Sequence, residues 1–160
     1  MTDRSPISRP RSDIHRRDFL LGVGVATAVS LAGCLGESRD PVEVETSLIA
    51  TDAESGESET LVDADRDDLE PNDYVGWEFT LRREHEVEYA VEVLEGTAVN
   101  AYILTAGEFR TLEESEGEDD FSAVAGSTVT DVESVTRTVT LDQGDYYLVV
   151  INADLTPANA

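Results

Sequence analysis

The sequence predicts an all-β chain, an antiparallel β-sandwich of jelly-roll or immunoglobulin-like type, and three observations carry that expectation. From residue 74 onward apolar and polar residues alternate with period two rather than 3.6. The alternating runs recur roughly every ten residues, divided by Gly, Pro, Asn and Asp turn signals. Between them the pattern offers strands and turns and no amphipathic helix, which points to two packed antiparallel sheets.

The elements follow in order over a domain expected at residues 42–160. Val42 and Val44 alternate with Glu43 and Glu45 and suggest a first strand reaching Thr46. Thr51–Thr60 and Asp63–Asp73 read as polar loops, the second dense in carboxylates and closed by Pro71-Asn72-Asp73. Val75, Trp77, Phe79 and Leu81 share one strand face, so Trp77 is expected in the core. On that alternation Tyr74, Tyr102 and Tyr146 point away from the main apolar set and are expected as exposed contact residues. Val87, Tyr89, Val91 and Val93 form the next strand, Glu95-Gly96 turns, and Ala98–Leu104 returns. Phe109 and Leu112 follow a turn at Thr105–Gly107, and Glu113–Asp120 is an acidic loop. Val135, Arg137, Val139 and Leu141 alternate again. Tyr146–Ile151 is apolar almost throughout, as expected of a central strand buried on both faces.

Charge sets the surface and excludes a partner class. The chain carries 35 acidic residues, 11 arginines and no lysine, for a net charge of −24. Five arginines and three acids precede Cys34, which leaves 6 basic against 32 acidic residues and a net of −26 beyond it. A folded domain so covered repels itself in dilute buffer. At about 1 M salt the Debye length falls to about 3 Å and the repulsion is screened. Acidic, lysine-free chains of this kind resemble those of haloarchaea. Nucleic acid is excluded as a partner, because binding it takes a basic patch that displaces counterions.

The first 33 residues read as an address rather than as fold. His15-Arg16-Arg17-Asp18-Phe19-Leu20 resembles the twin-arginine export motif, with Arg16, Arg17, Phe19 and Leu20 in the motif positions. The uncharged run from Phe19 to Gly33 is shorter than the roughly 20 residues of a spanning helix and fits a signal-peptide core. It ends in Leu31-Ala32-Gly33-Cys34, which resembles a lipobox. That resemblance implies export through the twin-arginine translocase, a lipid on Cys34, a tether over residues 34–41 and a domain held at the outer face of the cytoplasmic membrane. Cys34 is the only cysteine, so no intramolecular disulfide can form.

Two further patterns concern the domain itself. Leu141-x-x-Gly144-x-x-Tyr147 resembles the tyrosine corner of immunoglobulin-like sandwiches, which implies a hydroxyl bonded back to upstream backbone. Residues 75–152 as a whole resemble pre-peptidase C-terminal and GOLD-type sandwich domains. The likeness lies in Trp77, Phe79 and Leu81, in the Val93-x-x-Gly96 turn and in the ending Leu141–Val150. Such domains carry a further strand after the position of Asn152. Here either the Val42 strand completes the sheet or an edge stays open, and an open edge can pair with a partner strand.

Chemistry is sparse. His85 is the one histidine after Cys34 and lies in Arg82-Arg83-Glu84-His85, a charged turn where a solvated ring is expected. A Ser-His-Asp triad would have to use it, and neither a G-x-S-x-G motif nor a cysteine partner accompanies it. No Cys/His cluster suggests zinc. Paired carboxylates for glycoside chemistry carry no information where 32 acids guarantee chance pairs. Asp63, Asp65, Asp67 and Glu70 offer alternating oxygens that calcium could use, although Asp68 stands where an EF-hand needs its glycine. No N-x-S/T sequon is present. The expected function is a non-enzymatic, lipid-anchored β-sandwich that binds an envelope protein or a small ligand. A calcium-dependent adhesion module on the Asp63–Asp67 stretch is the first alternative, and an envelope-associated hydrolase is the second.

Overall fold

A computed structural model describes residues 17–18, 40–114, 121–153 and 155–159. The described elements are β1 (Arg17–Asp18), β2 (Val42–Asp52), β3 (Ser58–Leu69), β4 (Asp73–Leu81), β5 (His85–Glu95), β6 (Val99–Thr105), α1 (Ala106–Glu114), β7 (Val129–Val132), β8 (Ser134–Leu141) and β9 (Gly144–Ile151). They build two antiparallel sheets, β1-β4-β9-β6-β7 (sheet A) and β3-β2-β5-β8 (sheet B). Val44, Leu48, Val87, Tyr89 and Val91 of sheet B close over Val75, Trp77, Phe79, Ile103, Leu148 and Val150 of sheet A. This is the antiparallel β-sandwich that the period-two pattern predicts.

The strand order settles its type. Counting the eight long strands from β3 and placing β2 last turns the sheets into 1-8-3-6 and 2-7-4-5, which is jelly-roll pairing with its last strand moved to the front of the chain. The Val42 strand therefore completes the sheet, and it does so between β3 and β5 rather than at an edge. It runs well past Thr46, because Leu48 and Ala50 keep its inward alternation unbroken. β9 lies between β4 and β6 with its last four residues buried, as its apolar run requires.

Several expectations are corrected. The stretch expected as a loop at Asp63–Asp73 is strand as far as Leu69, and the polar loop before it shortens to a tight turn ahead of Ser58. Pairing along β2 overrides the poor strand propensity of aspartate. Ala64, at φ 45°, bulges the strand beside the register shift at Thr46/Leu48, so Leu61 and Val62 are both buried. A helix also exists: α1 buries Phe109 and Leu112. Its start was legible in Thr105-Ala106-Gly107-Glu108, where the Thr105 hydroxyl accepts the Glu108 N–H at 3.3 Å.

That helix explains the tyrosines. Tyr74 and Tyr102 do point away from the inner core, but the outer face of sheet A is itself covered by Phe109, Leu112, Phe121, Ala123, Ala153 and Leu155. Both rings are wholly buried there, and Tyr147 stacks on Phe109 with centroids 3.9 Å apart. Tyr146 belongs to the inner core, stacked on its cross-strand neighbour Phe79. None of the three is an exposed contact.

Candidate functional site

The site begins with where the chain enters the sandwich. Asn152 is fully buried, and its Nδ2 donates to the carbonyls of Asp40 (2.9 Å) and Leu69 (3.1 Å). Its backbone N–H donates to Asp73 O and its carbonyl accepts from Asn72 N. One side chain thus fastens the start of β2, the β3–β4 turn and the end of β9 at one pole. Gly96 packs on the same point: at φ 105°, a Cβ there would lie 2.5 Å from Val42 Cγ1 and 2.8 Å from Pro41 O. The turn glycine is required by both conformation and contact.

The opposite pole is polar. Asp52 Oδ1 accepts the backbone N–H groups of Glu54 and Ser55, which hold its carboxyl below the usual carboxylate range, with Arg83 assisting at 3.2 Å from Oδ2. Arg83 also reaches Glu54 at 3.4 Å. His85 sits beneath this network, paired with Asp52 across the strands and only 2 % exposed, with Nδ1 2.8 Å from the Arg83 carbonyl. The expected solvated histidine is therefore a buried one, because it opens β5 facing inward rather than closing the turn.

Between the poles, the outer face of sheet B is open to solvent. Ser47 and Ala90 floor a shallow depression of about 170 Å³, flanked by Glu45, Glu92, Ser134 and Thr136. Rows of hydroxyls and carboxylates cross the face, as in Thr51, Glu86 and Thr140. Glu45 is held by Arg66 at 2.8 Å.

The edge of this sheet is β8, and its backbone phase can be worked out. Val93 N–H donates to the Glu133 carbonyl at 2.7 Å, so that pair is a hydrogen-bonded one. In an antiparallel ladder every second pair shares this phase. Val135, Arg137, Val139 and Leu141 therefore direct their backbone groups to β5, while Ser134, Thr136, Thr138 and Thr140 turn N–H and C=O outward from the sheet. No described residue pairs with that side. The other sheet ends are blunted. β3 carries a bulge and four aspartates, β7 has Asp131 at φ 55°, and β4 has Asp73 and Glu78. β8 contains neither carboxylate nor proline nor a positive φ.

The motif residues fall out as follows. Arg16, Phe19, Leu20, Leu31, Ala32, Gly33 and Cys34 lie outside the described residues, and of the export motif only Arg17 is described, as backbone in β1. Asp63, Asp65, Asp67 and Glu70 do not converge. Asp63 and Glu70 are exposed, Asp65 accepts from Trp77 Nε1 at 3.3 Å, and Asp67 is buried. Among the described residues no three His, Cys, Asp or Glu side chains are placed to hold a metal ion. The bond expected of a tyrosine corner comes from Tyr146, whose hydroxyl donates to the Asp142 carbonyl at 3.0 Å, rather than from Tyr147. Leu141 is in the core and Gly144 lies against the Tyr146 ring, at 3.2 Å from its implied Cβ to the ring edge. The pattern located the corner; strand parity moved the hydroxyl by one residue.

Two sites escaped the sequence reading. Ser127 bridges the sheets: its hydroxyl accepts from Ile103 N (3.1 Å) and donates to Val124 O (2.7 Å), while its carbonyl accepts the Tyr89 hydroxyl. Burial pushes the Tyr89 hydroxyl up to about 12, against the opposing charge of Arg137. Asn100 fastens the last segment through Ala153 O and Leu155 O and accepts Asp131 N–H. The signal was an asparagine inside or at the end of an apolar strand, where a buried amide needs partners. No helix among the described residues is long and apolar enough to cross a membrane. No family model, curated protein or solved structure matches the chain.

Proposed function

We propose that this protein is a lipid-anchored, non-enzymatic binding module of the extracytoplasmic surface, exported by the twin-arginine route and tethered through Cys34. The Asn152 clamp on Asp40 carries the reading. It anchors Asp40 to the sandwich, six residues beyond Cys34, a span of at most about 20 Å when extended. β2 rises from that point through 11 residues, about 35 Å at strand spacing. The polar pole at Asp52 and Arg83 thereby lies at the end of β2 away from the tether. The uncharged run ending in Leu-Ala-Gly-Cys supports the lipid, and the acidic surface supports a multi-molar salt environment.

The test is carbodiimide cross-linking of the full lipidated chain in its native membranes at multi-molar salt, with mass spectrometry of whatever is attached. One recurring envelope partner joined through sheet B or the polar pole is the expected result. A chain that yields no adduct above a scrambled-surface control refutes the reading.

A further inference from the structure

We infer that β8 is a docking strand: its free edge takes an extended segment of another envelope protein by strand addition, and that segment bears a carboxylate opposite Arg137. The inference deepens the binding-module reading and rests on it for the location of the partner.

Ser134, Thr136, Thr138 and Thr140 present outward N–H and C=O groups along one side of an eight-residue strand. A strand laid there gains ladder hydrogen bonds irrespective of its side chains, and side-chain pockets at alternate positions supply the choice of partner. The same four residues turn hydroxyls to the outer face, where threonine and serine pair well across strands. Val135, Val139 and Leu141 face the opposite way, Val139 and Leu141 buried in the core and Val135 half-buried against it.

Charge selects among occupants. In a chain of 35 acids, β8 is the sheet edge that itself bears no carboxylate, so an incoming strand meets less like-charge repulsion there than at β3, β4 or β7. Arg137 stands at its centre beside Tyr89, exposed, and among the described residues no carboxylate lies in ion-pair range of it. A second copy of this chain is disfavoured as the occupant. Two β8 strands pairing antiparallel place each arginine opposite another arginine or an apolar residue, and an inward-set charge is a known guard against self-pairing. The same arginine is a recognition point for a strand with a glutamate or aspartate at the middle of a hydroxyl/β-branched alternation.

The probe is a fluorescent peptide, acetyl-TVTETVTL-amide, titrated onto the full chain up to about 1 mM, beside the matched peptide TVTRTVTL. The acidic peptide is expected to bind about threefold tighter, the range of an exposed ion pair. Arg137→Glu should reverse that ranking. Thr138→Pro removes one outward N–H at an edge position that tolerates proline, and should weaken both peptides at least tenfold. If Thr138→Pro impairs folding, the Arg137→Glu reversal decides alone. No saturable binding of either peptide, or a ranking that Arg137→Glu leaves unchanged, overturns the inference. Peptide failure combined with membrane cross-links at the polar pole removes the docking strand and keeps the binding module. Peptide binding without any membrane partner keeps the strand and removes the module.

Discussion

Replacing Asn152 by alanine should loosen the pole where the start of β2, the β3–β4 turn and the end of β9 meet. The amide is fully buried and makes two side-chain bonds, at 2.9 Å to Asp40 O and 3.1 Å to Leu69 O. Each ordinary hydrogen bond contributes about 1 kcal/mol, and a buried acceptor left unpaired adds a desolvation penalty of about 1–3 kcal/mol. The Asp40 carbonyl lies at an exposed residue and can turn to water, whereas Leu69 is wholly buried and cannot. Two lost bonds and one stranded carbonyl give about 3–5 kcal/mol. Part of this is offset because the Asn152 Oδ1 atom, buried without a hydrogen-bond partner, disappears with the amide. About 2–4 kcal/mol is the expected net loss. A domain of this size moves by roughly 4 °C per kcal/mol, so Tm should fall by about 8–16 °C. Scanning calorimetry at fixed multi-molar salt is the assay, with limited proteolysis ahead of Val42 as the local readout. A fall under about 2 °C, with cleavage at Pro41 no faster than in the parent chain, refutes the clamp.

Gly96→Ala should destabilise by about 2–5 kcal/mol in urea titration, because φ 105° and the approach of the Pro41 carbonyl act together; a wild-type midpoint would show that the turn yields. Alkaline pH should erode stability through Tyr89. Its folded hydroxyl is raised to about 12 from an unfolded value of 10, so the unfolded state loses its proton first. Stability from this group is intact below pH 10 and declines between pH 10 and 12, by about 2–3 kcal/mol in all. Tyr89→Phe should flatten that decline in pH-dependent denaturation curves. Cys34→Ser should move the protein from the membrane fraction to the soluble fraction and abolish labelling by a radioactive lipid precursor; retention of both excludes lipidation at Cys34. Calcium addition in saturating monovalent salt should leave the Tm of the parent chain unchanged, since Asp63, Asp65, Asp67 and Glu70 do not converge; a rise in Tm that Asp65→Ala abolishes would establish a calcium site there.

The sequence by itself determined the class of fold, the central strand at β9, the turn at Gly96 and the core role of Trp77. Each is a local property: alternation assigns a face, and a run without alternation assigns both faces. The proposed export and lipidation rest on linear signals read along the chain, which lie outside the described residues apart from Arg17. Only the tertiary structure decided the rest. Asp63–Leu69 became strand because β2 lay beside it to supply a ladder, and no property of four aspartates foretells that neighbour. Tyr74 and Tyr102 were on the expected face, but whether that face met water depended on α1 and on Phe121, Ala123, Ala153 and Leu155 packing across it. The corner hydroxyl passed from Tyr147 to Tyr146 because register with β4 fixes which parity faces the core. Among the described residues the free edge at β8 is likewise a fact of strand order: local pattern names the faces of a strand, and only the assembled sheet shows which strand has a neighbour on one side alone.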